Sequence, residues 1–419
     1  MSVTSPTTID TTDRGVPLLA HAAMRFLVPI WIGSGFFVLF EPAPYELLFF
    51  VVFALAIVGG MKMHWRTNNL LLAIMCFIPP AYIAVTQIKY GTLMEALIFT
   101  TVTLFLMLTA YFVANYISES PWRRMRTINK AYLFAAMLSA IIGITAYLGI
   151  LPGGDVFLRF GRAKAMFNDP NVYGPFLMLP TAYVFQRVLL GKPKDMLVNS
   201  IFFLILFIGI FVSFSRGAWG HLVATAGLVF LLNFLLEATA REKMRMIVLA
   251  ILGTISLFVA LLGLLSIPDV QELFVQRFAL VQSYDGGETG RFGRQAWGYA
   301  LALQTPLGTG PSQFSSMRIT EEPHNTYLKV FLDYGWFGGM AFVWMILMTL
   351  NRGIRCMAIA SPNRLLLIPA LATFVPMSLE AAIIDVDHWR HYFLVIGIIW
   401  GITAGYDKVP PPRTERYLP

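Results

Sequence analysis

Twelve continuous apolar runs follow one another along the chain, near residues 23–40, 45–61, 69–85, 93–117, 128–150, 171–190, 196–213, 218–236, 246–266, 327–350, 365–384 and 392–406. None shows the strict polar–apolar alternation of a membrane β-strand. Most approach the roughly 20 residues that a helix needs to cross a bilayer. The pattern therefore predicts an all-α polytopic membrane protein of about twelve transmembrane helices. The longest polar interval, residues 267–324, separates the ninth run from the tenth and carries two amphipathic patterns of its own. In "VQELFVQRFALV" residues Val270, Leu273, Phe274, Phe278 and Val281 share one side, as for a helix lying along the membrane surface. After the turn "YDGGETG" a second helix is expected to start near Arg291. Residues 1–22 and 407–419 are polar and read as a disordered head and tail of one membrane domain spanning 1–419. The head carries acids, unlike a signal peptide.

Composition agrees: 57% of residues are hydrophobic and 13% charged, against about 25% charged in a soluble chain. Two cysteines imply no disulfide framework. Lysine and arginine fall about two to one on the loops that share a side with the amino terminus, which places both termini in the cytoplasm and residues 267–324 outside. The net charge of +8 is then a record of topology, and no nucleic-acid partner is expected.

The outside arginines run against this bias, so something else should hold them there. They gather in "FLRFGRAKAMFNDPNVYG", in "FSRG", in "GRFGR" and ahead of "PHN". Arg216, in a tight turn among small residues, suits a phosphate through its planar fork of donors; the plainer reading is a snorkelling side chain at the lipid boundary. Arg291 and Arg294 are three apart on the first turn of the expected helix, where free N–H groups already favour an anion; alternatively they are an exposed basic face. Arg159, Arg162 and Lys164 precede Asn171, a candidate helix cap. "PLGTGPSQF" lacks the lysine and the Ser/Thr of a phosphate loop and reads as a loop only. In "DVDHWRH" the aspartates Asp385 and Asp387 could share a divalent ion, but a polar loop at a helix end is the simpler reading, and no metal is expected. His324, between Pro323 and Asn325, could cap or pack. Its place on one membrane face with the arginines favours a general base, because histidine changes charge near neutral pH.

In this order, "FNDPNVYGPFL", "FSRGAWG", "TGRFGRQAWGYAL", "PLGTGPSQF" and "HNTYLKVFLDYGWFGG" resemble the O-antigen ligase and Wzy-type polymerase superfamily, polytopic glycosyltransferases of the GT-C class. The resemblance covers residues 157–339. It implies transfer of a glycan from undecaprenyl diphosphate to an acceptor hydroxyl at the periplasmic face of the bacterial inner membrane, with inversion and with neither metal nor cofactor. By the same resemblance Arg216 contacts the donor diphosphate, as does one of Arg291 and Arg294, and His324 is the general base. Arg159, Arg162, Asn171 and Asn325 stand as substrate or acceptor contacts. The implied partners are the lipid-linked glycan donor, membrane lipids and an acceptor: lipid A–core for a ligase, a lipid-linked repeat unit for a polymerase. A transporter or flippase is the rival from another class and calls for ionisable groups deep in the spans. Apart from Glu95, Lys329 and Glu380 the sequence offers few, which favours the enzyme.

Overall fold

The structure, a computed structural model, describes residues 15–40, 42–278, 287, 290–317 and 321–407. The first fourteen residues, the tail from 408, Arg318 and most of the "YDGGETG" turn lie outside the described residues. The chain opens with α1 (Gly15–Ser34), α2 (Pro44–Val58), α3 (Asn68–Val85), α4 (Leu93–Ser118) and α5 (Pro121–Tyr147). A two-stranded hairpin, β1 (Leu158–Arg159) and β2 (Arg162–Ala163), leads into α6 (Pro170–Phe176). Then come α7 (Met178–Leu190), α8 (Pro193–Phe211), α9 (Arg216–Leu236) and α10 (Ala240–Leu265). The polar interval supplies α11 (Pro268–Phe278), α12 (Arg291–Gln304) and the single turn α13 (Phe314–Met317). The bundle closes with α14 (Thr326–Met357), α15 (Arg364–Glu380) and α16 (Arg390–Ala404).

The chain is thus an all-α polytopic membrane protein. Among the described residues eight helices are long and apolar enough to cross a membrane by length and composition, and α2 and α16 are apolar but shorter. Their outer faces carry large exposed apolar side chains such as Phe50, Phe134, Val223 and Phe258, as lipid contact requires. Helix starts follow local chemistry. Pro44, Pro121 and Pro193 open α2, α5 and α8, where the missing N–H costs nothing. Thr92 with Glu95, and Thr239 with Glu242, form capping boxes on α4 and α10.

Several boundaries differ from the sequence pattern for local reasons. α1 begins at Gly15, inside the stretch read as polar head. The sixth apolar run is broken at Leu177 into α6 and α7, beside Pro175 and Pro180. The tenth run is interrupted at Gly335, whose φ is 71°.

Glycines set the closest approach in the bundle. Gly397, Gly401 and Gly405 recur every fourth residue at the α16–α4 contact, and a Cβ at Gly397 would sit 2.6 Å from the Ala110 carbonyl. Helix ends are fastened by arginines. Arg245 donates to the carbonyls of Leu189 and Gly191 at the end of α7, and Arg364 to Leu236 at the end of α9.

Candidate functional site

His324 lies in a short segment that leads into α14. Its φ of 49° is a left-handed conformation, uncommon for a residue with a Cβ. The strain is held by the next two residues. Asn325 caps α14, its side chain accepting from Leu328 N–H at 3.1 Å. Thr326 N–H donates to the Ala381 carbonyl at 2.8 Å, its hydroxyl donates to Ile384, and that oxygen accepts from Val386 N–H. The loop after α15 is thereby stitched to the start of α14, which brings Asp385 to the imidazole: Oδ2 stands 3.0 Å from His324 Nδ1. A carboxylate at this place accepts from Nδ1, so the geometry suits the neutral tautomer that leaves the lone pair on Nε2. The His324 side chain is 38% exposed, enough for a substrate to reach it.

α12 starts at Arg291 and packs against the same segment. Arg294 is buried and ion-paired with Glu321. Gln295 Nε2 donates to the Pro323 and His324 carbonyls at 3.3 and 3.4 Å. Of the two arginines in "GRFGR", Arg294 is therefore committed to holding α12 on the His324 segment, while Arg291 at the helix mouth is the less buried.

Arg216 is the first residue of α9. Ser215 caps the helix through Ala218 N–H, and Phe214 turns the chain with a φ of 45°. Gly217 lets α9 lie close to Glu380, whose Oε1 would have to shift to admit a Cβ there. Glu380 Oε2 reaches His221 Nδ1 at 3.1 Å, and His221 Nε2 donates to the Thr373 carbonyl at 3.0 Å. Glu380 directly precedes Ala381, the acceptor of Thr326 N–H, so the first turns of α9 and the His324 segment meet at the same C-terminal end of α15.

The second basic cluster is braced rather than open. Arg162 is buried, with Nε donating to the Ser213 carbonyl at 2.9 Å and Nη2 to Asn171 Oδ1 at 2.8 Å. Arg159 pairs with Asp169 at 3.0 Å. The cap of α6 is Asp169, which accepts from Asn171 N–H at 2.7 Å, and not Asn171. Pro170 explains this: it takes the first helical position and holds the preceding residue extended, so the capping place falls to Asp169. α11 turns Phe274 onto Trp219 and Phe211 beside the Arg216 turn.

Under the site lies a buried ionic group that the sequence pattern conceals. Lys329 Nζ meets Asp387 Oδ2 at 2.9 Å, and Asp333, one turn further along α14, is 1% exposed. Burial pushes the Asp387 carboxyl up, but the Lys329 ammonium and His388 outweigh it and the carboxyl is held below its usual range. Burial pushes the Glu322 carboxyl up against the pull of Lys329. The two aspartates of "DVDHWRH" therefore take separate partners, His324 and Lys329. Among the described residues no three His, Cys, Asp or Glu side chains converge as metal ligands. With Asp333 and His221, the buried ionisable groups of the spans outnumber those the sequence suggested.

The glycine-rich loop also does more than connect. Gly308, with a φ of 81°, lies against the break at Gly335; Thr309 N–H donates to the Leu332 carbonyl, and Trp336 N–H to Pro306. Gln313 then ties the loop to Lys89 and Tyr90.

Residues 201–343 match the model of the family described as O-Antigen ligase. No curated protein matches the chain.

Proposed function

We propose that this chain, a member of the O-antigen ligase and Wzy-type superfamily through residues 201–343, transfers a glycan from undecaprenyl diphosphate to an acceptor hydroxyl. The observation that carries the reading is the meeting of two elements at the C-terminal end of α15: α9, which opens at Arg216, approaches Glu380 through Gly217 and His221, and the segment bearing the His324–Asp385 pair is held to the adjacent Ala381 carbonyl, with α12 packed onto that segment through Arg294 and Gln295.

In this reading His324 Nε2 takes the proton of the acceptor hydroxyl as its oxygen attacks the anomeric carbon. The bond from that carbon to the diphosphate oxygen breaks, and the configuration inverts. The charge left on the diphosphate is met by Arg216 and Arg291, which stand in for a metal. Asp385 holds the imidazole in the tautomer that can accept and stabilises the imidazolium that forms. Arg294, Arg162 and Asn171 keep their neighbours in place, and Asn325 caps α14 beside the base. An apolar cleft of about 300 Å³ between α9, α14 and α15, lined by Leu228, Leu232 and Val375, offers the prenyl chain a seat deeper in the bundle.

The reading includes about twelve spans in a GT-C arrangement within one membrane domain. The site faces the periplasm of a bacterial inner membrane, residues 267–324 form the outer loop and both ends are cytoplasmic. The acceptor proposed is lipid A–core, as for a ligase. A polymerase would use the same chemistry with a lipid-linked repeat unit as acceptor. The test is a reconstituted transfer assay with one lipid-diphosphate donor and each acceptor in turn. Product with lipid A–core alone supports the ligase, product with the lipid-linked repeat alone replaces it by the polymerase, and no transfer to either sinks the proposal.

A further inference from the structure

At the opposite end of α14 from His324, about 40 Å along the helix axis, a second polar pocket opens. Its volume is about 650 Å³, in the range of small-ligand sites. Three arginines line it: Arg66 from the turn before α3, and Arg352 and Arg355 from the last turns of α14. Two of them are set in place. Arg352 Nε donates to Thr403 Oγ1 at 2.6 Å and Nη1 to the Arg66 carbonyl at 2.9 Å, with its guanidinium 4.5 Å from the centre of the Trp400 ring. Arg66 donates to the Ala404 carbonyl and to Asp407, both at 3.1 Å, and lies 5.3 Å from the centre of the Trp65 ring. Arg355 makes no hydrogen bond or ion pair among the described residues.

Three positive charges thus face one carboxylate, Asp407, and the pocket carries an excess of two. Carbonyls and aromatic faces hold the guanidiniums together without neutralising them, so the pocket attracts an anion. The walls indicate which kind. Met348 and Ile359 are apolar, and Trp65 is 71% exposed at the mouth, as indoles are at a membrane boundary. Basic pockets between helix ends at that depth suit lipid phosphates.

We infer that this pocket binds the headgroup of an anionic phospholipid, with Arg355 supplying the direct phosphate contact and Arg66 and Arg352 forming its preset floor. The lipid's first acyl carbons lie along Met348 and Ile359. The site is separate from the proposed transfer chemistry and stands or falls independently of it.

The test uses the full chain reconstituted in phosphatidylcholine, with phosphatidylglycerol titrated in and retained lipid read by native mass spectrometry. Arg355→Gln is the informative variant, because it removes no bond from the fold. Retention of phosphatidylglycerol over phosphatidylcholine is expected, falling about tenfold or more in Arg355→Gln and weakening with salt. Inorganic phosphate serves as the competitor. Equal retention in the variant and the wild type overturns the site, and displacement by phosphate at concentrations comparable to the lipid overturns the lipid as its ligand.

Discussion

Asp385 holds the imidazole of His324 from the far side of a loop 61 residues away in sequence, at 3.0 Å. The pair turns a histidine at a helix mouth into an oriented base. Asp385→Asn should therefore behave as a positioning change. The amide can present its NH₂ to Nδ1 and stabilise the wrong tautomer. We expect the transfer rate to fall by about a hundredfold with donor affinity unchanged and an altered pH–rate profile. Single-turnover transfer and lipid-diphosphate binding on the same preparation check this, and an unchanged rate and profile would remove Asp385 from the mechanism.

Arginine and histidine variants should separate binding from turnover. Arg216→Ala should weaken donor binding by about tenfold to a hundredfold, the loss expected for one charge-assisted contact, and Arg216→Lys should recover only part of it. His324→Asn is a cleaner probe than alanine, since asparagine tolerates the left-handed backbone at φ 49°. It should bind donor normally and transfer about a hundredfold more slowly. Lost donor binding with a normal rate at saturating donor would make His324 a binding residue.

Transfer is expected to survive strong chelation. The measurement is initial rate before and after dialysis against excess chelator. A requirement for added divalent ion would displace the arginine mechanism.

The Lys329–Asp387 pair should show strong coupling. Lys329→Met leaves a buried carboxylate alone and should destabilise the fold by about 3–5 kcal/mol, whereas Lys329→Met with Asp387→Leu should regain most of that. Unfolding in detergent across the double-mutant cycle reads the coupling. Additive effects would mean that the pair does not act as a unit.

Stability should also depend on pH through His388, whose ring Nε2 sits 2.8 Å from Thr103 Oγ1. Burial pushes its pKa down to about 4 from the usual 6.5, against the pull of Asp387. The unfolded chain then binds the proton more readily, so stability is full above about pH 6.5 and is lost as pH falls towards 4, by at most about 1.4 kcal/mol per unit. Glu322, pushed up by burial, acts in the opposite sense and is best replaced by glutamine in the background. His388→Gln should flatten the acid limb of a thermal-unfolding profile; an unchanged limb would assign it elsewhere.

The helical runs were legible because each rests on local composition, and so were the arginine turn at 216, the start of α12 and the histidine ahead of α14. What escaped the sequence depends on pairing across distance. Asp385 and Asp387 are two residues apart and look like one site, yet they serve partners on different elements because the loop is pinned by Thr326. Arg294 and Arg291 lie on the same face of a helical wheel, and the pairing of Arg294 with Glu321, 27 residues on, carries no local signal. The break at Gly335 could have been suspected from its glycine, but its partner, the 306–310 loop, carries no pattern that points to it. Asn171 has the chemistry of a cap, but Pro170 hands that place to Asp169.

The Lys329–Asp387 pair also bears on how the chain is made. A lysine inside a spanning segment opposes insertion, by less near the helix end where Lys329 sits than the roughly 2.5–3.5 kcal/mol of a central position, and its counter-charge is translated 58 residues later. The outer third of α14, already severed from the rest of the helix at Gly335, lacks its hydrogen-bonded ion pair until α15 has been inserted and the following loop delivered. The base-bearing segment would then settle last in biogenesis, and the site would assemble only once the whole bundle is in the bilayer.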